Sequence, residues 1–244
     1  MLESPKALNV KKSRIISAVL SPALRLWLRS QVEQVEDLHF QLVGGDRQIL
    51  TGHIPGISIQ ANKAVYQGLH LSRIQLEGSN IRVNLGQVIK GQPLRLLEPV
   101  PVAGELLLLE SDIQASLGSG LFSNALSDLL STLLASDNTT KNTEDLRDKT
   151  ISWQKIIFAP GQFTLFGTLK STTFETTSVV ISAGLKLLSP RELLLHSLQI
   201  QIDPQVPPRN LEDLPIDLGT EVDLQELTLS PEQLVCRGSL NVIP

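Results

Sequence analysis

Aromatic residues are scarce in this sequence. Phe, Trp and Tyr make up 4% of its 244 residues, although 45 of those residues are leucine. Long apolar runs are missing too. A bilayer-spanning helix needs about 20 mostly apolar residues, and the best stretch, Ile15 to Leu28, is broken by Pro22 and Arg25. Cysteine occurs once, at Cys236, which excludes an intrachain disulfide and a cysteine-rich metal site. A lone unpaired thiol fits a reducing compartment. Short reactive motifs are also absent: there is no G-x-S-x-G, H-E-x-x-H, C-x-x-C or P-loop. His39, His53, His70 and His196 are scattered without ligand spacing. The acidic groups Glu33-Glu36-Asp37 and Glu221-Asp223-Glu226 read as solvated faces. No catalytic residue, metal ligand or cofactor is assigned, and enzymes are not the favoured class.

What remains is aliphatic material spread over many short segments, with an uneven charge. Lys6, Lys11, Lys12, Arg14, Arg25 and Arg29 stand against Glu3, so the first thirty residues carry +5; with a net charge of −4, the remainder carries −9. The acidic total argues against nucleic acid, while the basic start suits an anionic partner. Residues 14–36 read as a helix that starts anew at Ser21-Pro22, an N-cap followed by proline. Lys11, Arg14, Arg25 and Arg29 fall on one side; Ile16, Val19, Leu20, Ala23, Leu26 and Trp27 fall on the other. A basic face opposite an apolar face with a tryptophan is the pattern of a helix lying on an anionic membrane surface. The plain alternative is a helix packed on its own domain with its charges in water. A secretory signal would begin in this way, but Pro22 and Arg25 cut the apolar run and no small-x-small site follows. The expected location is cytoplasmic and peripheral to a membrane, in preference to exported.

Residues 38–110 alternate with period two: Leu38, Phe40 and Leu42; Ile57 and Ile59; Leu69 and Leu71; Ile74 and Leu76; Ile81, Val83 and Leu85. The phase slips at Ser72-Arg73, which predicts a β-bulge. Glycines at 44–45, 52, 56, 68 and 78 act as turn or bulge signals. Leu106 to Leu109 predict a strand covered on both sides. A second helix is predicted over 116–135, with Leu117, Leu121, Ala125, Leu129 and Leu133 as its stripe and serines every four residues on its other face. Residues 136–149 have one large apolar side chain, Leu146, and read as a flexible loop. Strands then resume to the end of the chain.

The stretches ILTGHIPGISIQANKAVYQGLHLSRIQLEGSNIRVN (49–84), PLRLLEPVPVAGELLLLESDIQASL (93–117) and RIISAVLSPALRLWLRSQVEQVEDL (14–38) resemble the LmeA-like family of phospholipid-binding proteins. The closing LTLSPEQLVCRGSL (227–240) matches more loosely. The resemblance implies a tubular lipid-binding fold, a curved antiparallel sheet around a long helix with an apolar cavity, and it brings no catalytic residues. In secreted members a signal or anchor precedes the domain.

The expected architecture is therefore α+β: a curved antiparallel β-sheet or roll wrapped on a long helix, with an additional N-terminal amphipathic helix. A basic tail (1–13) precedes a single elongated domain in two halves, 14–135 and 150–244, joined by the loop 136–149. The leading function is non-enzymatic binding of a phospholipid or other acyl lipid at or near a membrane, in lipid transfer or membrane maintenance. The expected cavity lining is Leu69, Leu71, Ile74, Leu76, Leu106, Leu108, Leu121, Ala125, Leu129 and Leu133. The expected membrane face is Lys11, Arg14, Arg25 and Arg29 with Ile16, Leu20 and Trp27. The rivals are an adaptor domain whose filled core serves a protein partner, and an enzyme acting on lipid.

Overall fold

The computed structural model describes residues 16–136, 150–170 and 176–244. A π-helical turn, Ile16–Leu20, leads into α1 (Ser21–Ser30). Then come β1 (Gln34–Val43), α2 (Asp46–Leu50), β2 (His53–Tyr66), β3 (Leu69–Arg82), α3 (Leu85–Val88) and β4 (Val100–Leu109). Helices α4 (Glu110–Ser116) and α5 (Gly120–Ser136) follow. The later strands are β5 (Thr150–Ala159), β6 (Gln162–Lys170), β7 (Thr176–Ser189), β8 (Glu192–Ile202), β9 (Arg209–Asn210), β10 (Leu214–Asp217), β11 (Val222–Ser230) and β12 (Gln233–Val242). The basic tail and the expected loop, apart from Ser136, lie outside the described residues.

Two antiparallel sheets result. The first runs β1-β2-β3-β4-β12-β11, and the second runs β10-β8-β7-β6-β5 with β9 paired to β8. Sheet membership departs from chain order, because the C-terminal hairpin β11–β12 returns to lie beside β4, from Gln233↔Leu109 to Val242↔Val100. The edge strand β11 also meets the second sheet. Leu229 accepts a hydrogen bond from the Gly161 amide, and Leu224 donates to the Pro190 carbonyl.

Several local expectations are corrected. The first helix stops at Ser30 rather than running to 36, because the alternating residues from Gln34 pair with β2, starting at Gln34↔Val65. Pro22 does fall in the first helical turn, where its missing N–H costs nothing. No bulge forms at Ser72-Arg73: β2 and β3 keep one register from His53↔Arg82 to Tyr66↔Leu69. Instead Lys63, opposite Ser72, adopts a left-handed backbone, φ 46°. Gly56 and Gly78 lie inside long strands rather than in turns. The second helix starts at Gly120 rather than 116 and runs to Ser136: a separate short helix, α4, ends at Ser116, and the Ser119 hydroxyl caps α5 by accepting the Phe122 amide at 3.2 Å. Leu106, Leu107 and Leu108 are each half-buried rather than covered on both sides.

The α+β, strand-rich class holds, but the described residues do not form a sheet wrapped around a long helix. Leu126, Leu130, Leu133 and Leu134 of α5 share a core with Leu165, Val179 and Ile181 of the second sheet. A separate core fills the opposite end of the first sheet, where Leu20 and Leu24 pack on Ile54, Ile57, Ile81 and Val83. Helix α4 joins the two sheets. Its Glu110 carboxylate accepts the Phe158 amide at 2.6 Å, and Gln114 accepts the Ile156 amide and donates to the Gln154 carbonyl. These side chains, one helical turn apart, stand in for a neighbouring strand along the open edge of β5. On the other side Ser116, fully buried, accepts the His70 amide at 2.9 Å.

Candidate functional site

The register of the first sheet sorts its side chains into two faces. One is polar. Gln60, Gln75 and Glu105 align across β2, β3 and β4, and Arg237 on β12 sits between Glu105 and Glu226. Hydrogen bonds to Glu105, then to Glu226, hold the Arg237 guanidinium even more firmly protonated than usual.

The other face is apolar across all six strands. Leu38 stands opposite Ala61, Ala61 opposite Ile74, Ile74 opposite Leu106, Leu106 opposite Cys236 and Cys236 opposite Leu227. The next row holds Ile59, Leu76, Gly104, Gly238 and Leu224. At one end of this face α1 covers Phe40, Leu42 and Ile57; at the other, Leu108, Leu234 and Leu229 enter the core shared with the second sheet. Between them Ile74, Leu76, Leu106, Leu224, Leu227 and Cys236 are half-buried and belong to neither core. Gly104 and Gly238, directly opposed, form the floor. A Cβ on Gly104 would lie 2.5 Å from both the Gln75 carbonyl oxygen and a Leu76 methyl; on Gly238 it would lie 2.4 Å from the Asp223 carbonyl oxygen. The neighbouring backbones come so close only because both positions lack a side chain. Burial pushes the Cys236 thiol up to about 11, so at neutral pH it is an uncharged part of this lining.

Of the residues expected to line a cavity, the structure brings Ile74, Leu76 and Leu106 together on this face, with Leu108 at its margin. Leu69 and Leu71 lie further along β3, beyond the step where Lys63 takes a left-handed backbone, and neither core includes them. Leu71 borders an open depression of about 320 Å³ shared with Glu36, Lys63, His70 and Asp112. Leu129 and Leu133 belong to the core under α5, while Leu121 and Ala125 are exposed. A second open depression, about 450 Å³, lies on the polar face beside Val43, Ser58, Glu77 and Ala103. The serine row of α5 is accounted for within the helix, since Ser127 and Ser131 donate to the carbonyls four residues earlier.

Of the expected membrane face, Lys11 and Arg14 lie outside the described residues, and only the backbone of Ile16 is described. Leu20 is fully buried and Trp27 packs on the first sheet. Arg25 and Arg29 are exposed, Arg25 lying 5.7 Å over the Phe40 ring. Leu26, on the outer side, is 73% exposed.

Sequence reasoning missed Leu224, Leu227, Cys236 and the two glycines. Their own alternation was visible, but nothing local states that β12 pairs with β4.

The first sheet thus carries an aliphatic, half-buried strip on one face that neither core takes up. The sequence pattern of the LmeA-like phospholipid-binding family matches residues 11–239, and the chain belongs to that family. No curated protein and no solved structure matches it. No helix among the described residues is long and apolar enough to cross a membrane.

Proposed function

We propose that the protein binds a phospholipid or a similar acyl lipid, without catalysing a reaction, by laying the acyl chains along the half-buried face of the first sheet. One observation carries this reading: Ile74, Leu76, Leu106, Leu224, Leu227 and Cys236 form an apolar strip that neither core takes up. Family membership supports the same ligand class. Acyl chains need volume and little directional bonding. At about 0.8 kcal/mol per buried methylene, a sixteen-carbon chain offers about 12 kcal/mol gross before entropy. The lining therefore needs no conspicuous polar motif, and lipid transfer or membrane maintenance is the role such binding serves.

The test is extraction of lipid from gently purified protein, followed by loading with labelled phosphatidylglycerol. Wild type should load saturably. Leu76→Thr/Leu106→Thr, which keeps β propensity, should lower uptake at least tenfold, since each lost aliphatic contact weakens binding by about 1 kcal/mol or more. No bound lipid together with no saturable uptake, or equal loading by the variant, sinks the proposal. In the first case an adaptor role for the strip takes its place.

A further inference from the structure

The β1–β2 and β3–β4 connections meet at one end of the first sheet, where His53 pairs with Arg82 and Val43 pairs with Gly56. The π-helical turn that opens the described chain touches both α2 and α3. The described chain therefore begins at this end of the sheet. Helix α1 runs away from it, since Glu33, just beyond α1, bonds Val65 at the other end of β2.

The β3–β4 connection is firmly held. Leu85, Val88 and Leu94 are buried. The Asn84 side chain, also buried, donates to the Pro93 carbonyl at 2.9 Å and to Gln87 Oε1 at 3.0 Å, and accepts the Arg95 amide at 2.7 Å. Yet this fixed loop turns Ile89 and Leu97 outward, 55% and 58% exposed, and α2 adds Leu50 at 39%. Exposed Arg47, Arg82, Lys90 and Arg95 stand among them, against Asp46 and Glu98. Glu221 and Asp223 belong to the same end but to the far β11 corner. The opposite end of the sheet is acidic, with Glu33, Glu36, Asp37, Glu110, Asp112 and Glu232 around Lys63 and Arg73.

Single exposed leucines need no explanation. Rigidly presented aliphatic side chains set among basic ones do, and the two chemistries together fit an anionic bilayer: alkyl groups enter the headgroup boundary and cations meet phosphate. The acidic far end would be repelled by the same surface, which fixes the orientation. We propose that the β1–β2 and β3–β4 connections form the membrane-docking end of the molecule, with Leu50, Ile89 and Leu97 entering an anionic lipid surface and Arg47, Lys90 and Arg95 on its phosphates. This deepens the lipid-binding reading and rests on it for its purpose.

The test is co-sedimentation of the full chain with vesicles of phosphatidylcholine, alone or mixed with phosphatidylglycerol. Wild type should bind the mixed vesicles and lose them in high salt. Each basic residue at such a surface strengthens binding about fivefold, so Arg47→Gln/Lys90→Gln/Arg95→Gln should weaken it about a hundredfold. Ile89→Ser/Leu97→Ser should weaken it at least tenfold, and Arg25→Gln/Arg29→Gln on α1 should have little effect. Short-chain phosphatidylglycerol below its micelle concentration should load into wild type and all variants alike, which keeps the docking end apart from the lipid strip. If that loading fails while vesicle binding persists, the strip reading falls and the docking end stands. Equal binding to neutral vesicles, unchanged binding by the two docking-end variants, or loss only in the α1 variant overturns the proposal. So does a wild-type dimer that Ile89→Ser/Leu97→Ser dissolves, because the patch is then a surface for a second copy.

Discussion

Cys236 is the chain's single thiol and sits in the middle of the proposed lipid strip, so its reactivity reports on that strip alone. Burial raises its pKa from 9.0 to about 11. A thiol is neutral below its pKa, so at any pH under 9 its thiolate fraction is about a hundredfold lower than that of an unburied cysteine. The thiolate that does form is more nucleophilic. With a Brønsted slope of about 0.4–0.5, two pKa units return about tenfold, leaving alkylation about tenfold slower than that of a free thiol before steric hindrance is added. The shape of the profile is more telling than the rate. Alkylation of the folded protein should keep rising about tenfold per pH unit beyond 9 and level off only near 11, whereas protein in denaturant should level off near 9. Loading with phospholipid should slow the folded reaction further by covering the thiol. Iodoacetamide labelling read by intact mass, with circular dichroism confirming the fold at each pH, measures both effects. A plateau near 9 in the folded state would refute the burial argument. Unchanged labelling after saturable lipid loading would move the lipid away from the strip.

Two further outcomes concern the frame that holds the sites. Asn84→Ala removes three hydrogen bonds and strands the Arg95 amide and Pro93 carbonyl in a part-buried loop; at about 1–3 kcal/mol for such a loss, the unfolding free energy from urea titration should fall by about 2 kcal/mol, and a change under about 0.5 kcal/mol would show that the loop is held by its leucines alone. Glu110→Ala leaves the Phe158 amide on the β5 edge without its carboxylate; hydrogen exchange at Phe158 should speed by at least tenfold, given about 1.5–3 kcal/mol for a charge-assisted bond, and unchanged exchange would mean that α4 does not guard that edge.

The local pattern carried much of the first sheet and little of the assembly. Leu38-Phe40-Leu42 and Ile57-Ile59 announced strands with one apolar face, and Ile74, Leu76 and Leu106 do share that face. Periodicity is a property of one segment, however, and pairing is a property of two. The return of Gln233–Val242 to β4 depends on a partner more than a hundred residues away, so the half of the strip made by Leu224, Leu227 and Cys236 was unreadable. The same limit misplaced the end of the first helix. Gln34 to Glu36 continue a helical pattern in isolation, but β2 offers a row of backbone partners that a helix end cannot match. The phase slip at Ser72-Arg73 was real, yet a bulge was the wrong cause. The β2–β3 ladder keeps its register there, and the irregularity is instead the left-handed backbone of Lys63, opposite Ser72 and between Leu71 and Ile74 in the pairing. Leu20 and Trp27 were read correctly as the apolar side of a helix, but the stripe could not say whether sheet or membrane would take it up.

The strip itself poses the sharpest question. An antiparallel sheet with one solvated face ordinarily turns polar wherever its cover ends. Here the cover ends twice, at α1 and at the core of the second sheet, and the alternation between them stays aliphatic. A fold that only had to be stable could place threonine at positions 76 and 106, since neither leucine reaches a core. Two explanations then give different numbers for Leu76→Thr/Leu106→Thr. If the leucines are unrecognised core, each truncation costs about 2–5 kcal/mol, as in buried sites. If they wait for a ligand, each costs about 1 kcal/mol or less, because water already reaches them, and lipid uptake falls instead. Denaturant unfolding of lipid-free protein, set beside the uptake measurement on the same variant, separates the two. A large stability loss with uptake retained would mean that the strip holds the sheet together rather than an acyl chain.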